Sequence, residues 1–292
     1  MSEPTMIKVR ANATPDEVYR ALTEPERLRA WLTEHAEVAL PERYEFWGPS
    51  TPAGDKPRQR LTHAGPRQLR FDWPIDDTHT EVQIDIIDTA EGFTEVTVNH
   101  DGLPGYDAMV AERETISQVH TFWALSLANL VDHLEGRPTT PRCDFTSPVQ
   151  RAEVTIDAAP EDVFHSLLDA ETFSRWFGAR VEVEPELGGR WAMGSFEVDT
   201  DPARITALEP GRALTLAWAE GLVASWELEG SGGKTRLTLV QSGFDQTQPP
   251  YGAWMGWLSG IAELRRFHEL PEWRPLFAGT HVDGMPEDLL TY

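Results

Sequence analysis

Cysteine is nearly absent: Cys143 stands alone among 292 residues. That excludes an internal disulfide framework and a cysteine-rich zinc site. Lysine is scarce too. Only Lys8, Lys56 and Lys234 occur among 25 basic side chains, and 48 acidic ones leave a formal charge of −23. Wrapping a nucleic acid takes clustered cations to neutralise phosphates, and docking on an anionic membrane surface needs them as well. Neither partner is expected. No apolar run approaches the roughly 18–20 residues of a membrane span. The start, Met1-Ser2-Glu3-Pro4, lacks the basic-then-apolar layout of a secretion signal, so the expected compartment is the cytoplasm.

Motifs for catalysis and cofactors are missing as well. The nine histidines form no His-Glu-x-x-His pair and no Cys/His cluster. There is no Gly-x-Ser-x-Gly, and Ser195 is expected inside a strand. Gly230-Ser231-Gly232-Gly233 reads as a hairpin turn, because it does not lead from a strand into a helix as a phosphate-binding loop does. Cys143 sits in a linker, and Glu112 and Glu114 read as dipole-complementing acids at the start of a long helix. No catalytic residue, metal or cofactor is therefore expected.

What the chain does contain is a repeat. With a shift of 145, Val9, Ala13, Pro15, Val18, Leu22, Glu26 and Trp31 meet Val154, Ala158, Pro160, Val163, Leu167, Glu171 and Trp176. Further on the shift is 141, bringing Thr94–Val98 and Gly102 onto Thr235–Leu239 and Gly243. It then becomes 134, bringing Trp123, Leu127 and Leu130 onto Trp257, Ile261 and Leu264. A period this long means tandem whole domains. The expected division is a first domain at 1–138, which ends on Pro138, a linker at 139–148 containing Pro141, a second domain at 149–275 and a C-terminal tail at 276–292. The acidic excess is shared, −11 in residues 1–145 and −12 in the remainder, as a solvated surface would have it.

Each copy reads in the same order. A short alternating strand precedes a helix opened by Pro15 or Pro160, followed by acids that suit its positive end. A second short helix ends at Trp31 or Trp176, rings expected to seal the end of a sheet. A run of strands follows. In the second copy they fall at 180–184, 190–198, 204–208, 213–218, 224–229 and 235–241; in the first at 58–64, 68–75 and 80–88. Their period of two indicates antiparallel strands with one wet face. A long helix closes each copy, expected at 108–135 in the first, with an apolar stripe able to cover the sheet. The class is α+β.

Several stretches of the second copy carry a family likeness: Glu186-Leu187-Gly188-Gly189-Arg190-Trp191, Ile205–Pro210, Leu214–Trp218 and Lys234–Phe244, with Trp257 in the last helix. In that order they resemble the activator of heat-shock protein 90 ATPase homologue family, within the START-like (SRPBCC), birch-pollen-allergen-like superfamily. The likeness is strong over about 150–270 and weaker over 5–136, where Tyr44–Gly48 replaces the Gly-Gly-Arg strand. The resemblance implies two tandem helix-grip domains, each a curved antiparallel sheet wrapped around a long C-terminal helix, with an apolar cavity between. It implies no single activity, so function has to come from the site.

The aromatic residues on the inward phase are the candidates to line such cavities. They are Phe46, Phe71, Trp73 and Trp123 in the first copy, and Trp191, Trp218, Trp226 and Trp257 in the second, with Met193 beside Trp191. His100 and Gln241 occupy matching strand ends and are candidate polar contacts to a ligand. The expected function is binding of a small apolar or aromatic molecule without a reaction. A chaperone-interacting regulator is one alternative. A cyclase- or hydrolase-like enzyme is another; it needs an acid–base residue in a cavity, and only His100 offers itself. Pro49, Pro52 and Pro57 are expected to break the sheet of the first copy, which makes the second copy the better-kept one and the tighter expected binder.

Overall fold

A computed structural model describes residues 3–111 and 114–291. The first copy runs β1 (Thr5–Ala11), α1 (Pro15–Thr23), α2 (Pro25–Trp31), β2 (His35–Ala39), β3 (Arg43–Trp47), β4 (Arg60–Gly65), β5 (Gln68–Asp72), β6 (Glu81–Asp88), β7 (Thr94–Asp101), α3 (Tyr106–Ala111), a 3-10 turn (Thr115–Gln118) and α4 (Val119–Leu134). The second runs β8 (Gln150–Ile156), α5 (Pro160–Leu168), α6 (Ala170–Phe177), β9 (Val181–Val183), β10 (Arg190–Met193), β11 (Ala203–Glu209), β12 (Ala213–Ala217), β13 (Val223–Ser231), β14 (Lys234–Ser242) and α7 (Tyr251–Glu269), and β15 (Phe277–His281) follows. Each copy has the helix-grip arrangement of a large antiparallel sheet and a long closing helix. By contact the residues form two units. One holds Met1–Thr146, Tyr251–Ser259 and Leu276–Met285; the other holds Ser147–Pro250, Gly260–Pro275 and Pro286–Tyr292.

Local chemistry sets the helix ends. Thr14 caps α1 by accepting the Glu17 N–H at 3.3 Å, and Pro15 supplies a preset φ in the first turn. Asp169 caps α6 through the Thr172 N–H at 2.9 Å, and Gly178 ends it at φ +75°, a left-handed conformation that favours glycine. The repeat persists down to single hydrogen bonds. Trp31 Nε1 donates to the Ala21 carbonyl at 3.0 Å and Trp176 Nε1 to that of Ser166 at 2.8 Å. Both indoles thus tie the second helix to the first. Thr94 and Thr235 hydroxyls donate to the carbonyls of Ala13 and Ala158. Glu135 and Glu269 accept the N–H of Asn12 and Asp157, each at 3.1 Å.

The sheets differ between the copies. In the second unit the order is β8-β14-β13-β12-β11-β10-β9, seven strands in one ladder. In the first it is β15-β1-β7-β6-β5-β4, while β2 and β3 pair only with each other. The stretch 48–59 between β3 and β4, which holds Pro49, Pro52 and Pro57, is turn and loop; proline has no N–H to give a ladder. The strand expected at 190–198 stops at Met193. Gly194 turns the chain at φ +79°, which places Ser195 in a turn.

Two other expectations are revised. The helix expected at 108–135 is interrupted. Glu114 has an extended backbone at φ −135°, and the Asp76 carboxylate takes the Ile116 N–H at 2.9 Å, starting a fresh turn before α4. Glu114 therefore does not open the long helix, and Glu112 lies outside the described residues. Within the span read as a tail, β15 pairs antiparallel with β1, Met6 opposite His281 and Ile7 opposite Thr280, and covers that edge of the sheet.

Candidate functional site

In the first unit the inward residues converge on His100. This side chain sits near the end of β7, opposite Thr5 of β1 and Val82 of β6. Trp123, on α4, donates its indole N–H to His100 Nδ1 at 3.0 Å. Nδ1 is thereby the bare nitrogen, so Nε2 carries the proton and donates to the Thr80 hydroxyl at 2.7 Å. The Thr80 hydroxyl in turn donates to the Trp73 carbonyl. Each hydrogen in this relay has one place to go, and no nitrogen of His100 remains to meet a ligand. Burial, helped by repulsion from His120, pushes the imidazole pKa down to about 3, so the ring is neutral near pH 7. The expected polar contact or acid–base candidate is a satisfied core histidine.

His120, one turn earlier on α4, is fixed in the same way. Its Nε2–H donates to the Pro104 carbonyl at 2.9 Å, leaving Nδ1 to accept from the Thr5 hydroxyl at 3.2 Å. Burial pushes it down to about 4, against the pull of that carbonyl.

The aromatic candidates of this unit pack on one another around the relay. The Trp73 ring stacks on His100 with centroids 5.8 Å apart. It meets Trp123 edge-on at 5.9 Å and Phe46 at 5.2 Å, and Phe46 meets Phe71 at 5.9 Å. These are ordinary edge-to-face distances for core rings. Phe71, Trp73 and His100 are 0% exposed and Phe46 and Trp123 1%, so these rings are packed as core. Trp73 Nε1 has no hydrogen-bond partner. Tyr44 extends the cluster against Phe46 and Phe71, and burial pushes its phenol pKa up.

The second unit repeats these positions with different side chains. Trp218 N–H donates to the Leu222 carbonyl at 2.8 Å, as Trp73 N–H does to Thr80 at 2.9 Å. Trp218 therefore stands where Trp73 does, and Leu222 replaces Thr80 without a hydroxyl. Gln241 takes the place of His100, with Ala224 opposite it on β13. On the other side it faces Gln150 of β8, which takes the place of Thr5. In sequence, the shift of 134 aligns His120 with Trp254 and Trp123 with Trp257, both in the stretch of α7 that groups with the first unit. Gln150 and Gln241 are each 3% exposed, and among the described residues both amide atoms of both side chains have no hydrogen-bond partner.

The aromatic candidates here are less enclosed. Trp191 is buried and meets Trp218 at 6.3 Å and Phe173 at 5.7 Å. Trp218 is half-buried, as is Met193 at the end of β10. Trp226 is buried on β13, opposite Leu214 and Leu239. Trp257 is 8% exposed and belongs to the stretch of α7 that groups with the first unit. Reading the sequence singled out His100 and Gln241 but missed Thr5, Thr80, His120 and Gln150. The shift of 145 that aligns the first strands carries Thr5 onto Gln150, and this was the available signal. Among the described residues no cluster of metal-ligating side chains occurs, and no helix is long and apolar enough to cross a membrane.

The family model described as Activator of Hsp90 ATPase homolog 1-like protein matches residues 12–135 and 157–269. No curated protein matches the chain. Among solved structures, DynU16, a protein in the dynemicin biosynthetic locus, is 18% identical over 92% of this chain and 100% of its own, with a TM-score of 0.39. CalU16 from Micromonospora echinospora is 25% identical over 40% of this chain and 71% of its own, with a TM-score of 0.34. The Aha1 dimer from Colwellia psychrerythraea is 16% identical over 43% of this chain and 98% of its own, with a TM-score of 0.39.

Proposed function

The chain belongs to the Activator of Hsp90 ATPase homolog 1-like family, and from that premise we propose that its second unit binds a small apolar or aromatic molecule on the inner face of its sheet, without a reaction, while the first unit is a filled copy. One contrast carries the reading. At matching strand ends, His100 is closed off by Thr80 and Trp123, whereas Gln241 and its neighbour Gln150 have polar atoms without a hydrogen-bond partner among the described residues. Buried polar groups without partners are rare in native proteins and ask for an explanation. A bound molecule is the explanation favoured here. Half-buried Trp218, at the place where Trp73 stacks on His100, supplies apolar surface there, worth roughly 25 cal/mol per Å² covered before ordering costs.

The test titrates the full chain with apolar and aromatic compounds, followed by tryptophan emission. Saturable binding that weakens on Trp218→Leu and survives Phe46→Leu is the expected result. Binding lost on Phe46→Leu and kept on Trp218→Leu would move the site to the first unit. No saturable binding by any compound would remove the ligand reading and leave the chaperone regulator as the better account.

A further inference from the structure

We propose that Gln150 and Gln241 are the polar anchor of that site and select a neutral ligand edge carrying one hydrogen-bond donor beside one acceptor, as a carboxamide or lactam does, on an apolar or aromatic body. The inference rests on the binding reading above and adds the chemistry of the ligand to it. The two glutamines lie directly opposite each other on neighbouring antiparallel strands, which sets their Cβ atoms about 4.5–5.5 Å apart on one face. Each side chain brings a carbonyl acceptor and an NH₂ donor, and none of these atoms is bonded. In the first unit the matching pair, Thr5 and His100, is completed by His120, Trp123 and Thr80. In the second unit Leu222 stands at the place of Thr80 and brings no hydroxyl, and among the described residues none supplies a partner to either amide.

Neutrality follows from the neighbours. The adjoining inward positions on β8, β13 and β14 are Ala152, Ala224, Trp226 and Leu239, all buried, with no ionisable group among them. An ion seated there gives up its hydration with no counter-charge to offset the loss, and a chain of charge −23 repels an anion further. An edge with adjacent donor and acceptor instead meets an amide side chain in two parallel hydrogen bonds, the way glutamine and asparagine read a base edge. The flat body follows from Trp218. Its counterpart Trp73 lies face to face with His100, and the Trp218 ring at the same place is half-buried. The amides are shut off from water, so occupancy requires that ring to yield.

The experiment is isothermal titration of the full chain and its Gln150→Met and Gln241→Met variants with 2-naphthamide, 2-naphthoate and 2-methylnaphthalene. Methionine keeps the length and much of the volume while removing the amide. The wild-type chain is expected to bind the amide about tenfold tighter than either analogue, the worth of one to two net hydrogen bonds. Each variant is expected to lose that preference and keep its affinity for 2-methylnaphthalene. Without ligand, each variant should melt no lower than wild type, since an unsatisfied polar group has been removed. Binding of 2-methylnaphthalene without preference for the amide overturns the anchor and leaves the pocket. Preference for the naphthoate overturns neutrality. Absence of binding by all three overturns pocket and anchor together. A lower melting temperature, or an amide preference that survives in the variants, makes the glutamines structural and overturns the proposal.

Discussion

Acidification should loosen the first unit at moderate pH, well before its carboxylates are titrated. His100 and His120 are buried with pKa values pushed down to about 3 and about 4, against about 6.5 in an unfolded chain. Their folded pKa values are depressed, so between pH 6.5 and about 4 the unfolded state binds protons that the folded state refuses. Stability is then present in full above pH 6.5 and is lost as the pH falls. At pH 5 each histidine removes about 2 kcal/mol, roughly 4 kcal/mol together, and the slope nears 1.4 kcal/mol per pH unit for each group. Amide hydrogen exchange on β7 and α4, corrected for its intrinsic pH dependence, measures this in the intact chain. The amides of β13 and β14 give the reference, since the second unit holds a single histidine with a resolved downward shift, the less deeply buried His268. In His100→Gln and His120→Gln the absolute stability should fall, but the diagnostic is the slope, which should drop by about one histidine's share in each variant. Protection on β7 that stays level from pH 7.5 to 5, or a slope unchanged by either substitution, would refute the buried neutral relay.

Thr80→Val should destabilise the first unit by about 1–3 kcal/mol in denaturant, because it orphans the His100 Nε2–H and the Trp73 carbonyl together; a change within about 0.5 kcal/mol, typical of an unimportant site, would discount the relay. Gly260→Ala should destabilise by about 1–3 kcal/mol, as for an overpacked core, although alanine is the better helix former. The new Cβ would lie 2.6 Å from Phe177 Cε2, and a gain in melting temperature would show that α7 has room there. A chain ending at residue 275 should exchange the Arg10 amide rapidly, since its acceptor is the Leu276 carbonyl at 3.1 Å; an unchanged rate would mean that β1 keeps its protection without β15.

The tandem fold was legible because its markers are side chains whose roles need no tertiary knowledge. Trp31 and Trp176, Thr94 and Thr235, and Pro15 and Pro160 recur at fixed shifts, and their hydrogen bonds recur with them. The break in the helix before α4 was not legible, because the group that imposes it, Asp76, is 40 residues from the amide it accepts. Nor was β15: Phe277–His281 shows no alternation and is half-buried throughout, since its place is set by pairing with β1. At the site, periodicity located His100 and Gln241 but not what surrounds them. Thr80 and Trp123 lie 20 and 23 residues away from His100 in sequence, and cross-strand register alone brings Gln150 opposite Gln241.

The tryptophans alone do not separate the two copies. Both put large rings on the inward face, and in the first copy those rings close on each other around a histidine. What separates the copies is the supply of partners at one strand end. A polar side chain on an otherwise apolar face is unfavourable unless its donors and acceptors are met. The first copy meets this demand from its own chain, through the Thr80 hydroxyl just before β6 and the Trp123 and His120 side chains on its closing helix. The second copy has polar residues on the same two strands, glutamine at both places, and has leucine where the hydroxyl stood. Random loss of a relay would be expected to leave apolar residues behind, which pack more cheaply than four bare amide atoms. The proposed ligand accounts for these amides by supplying their partner from outside the chain.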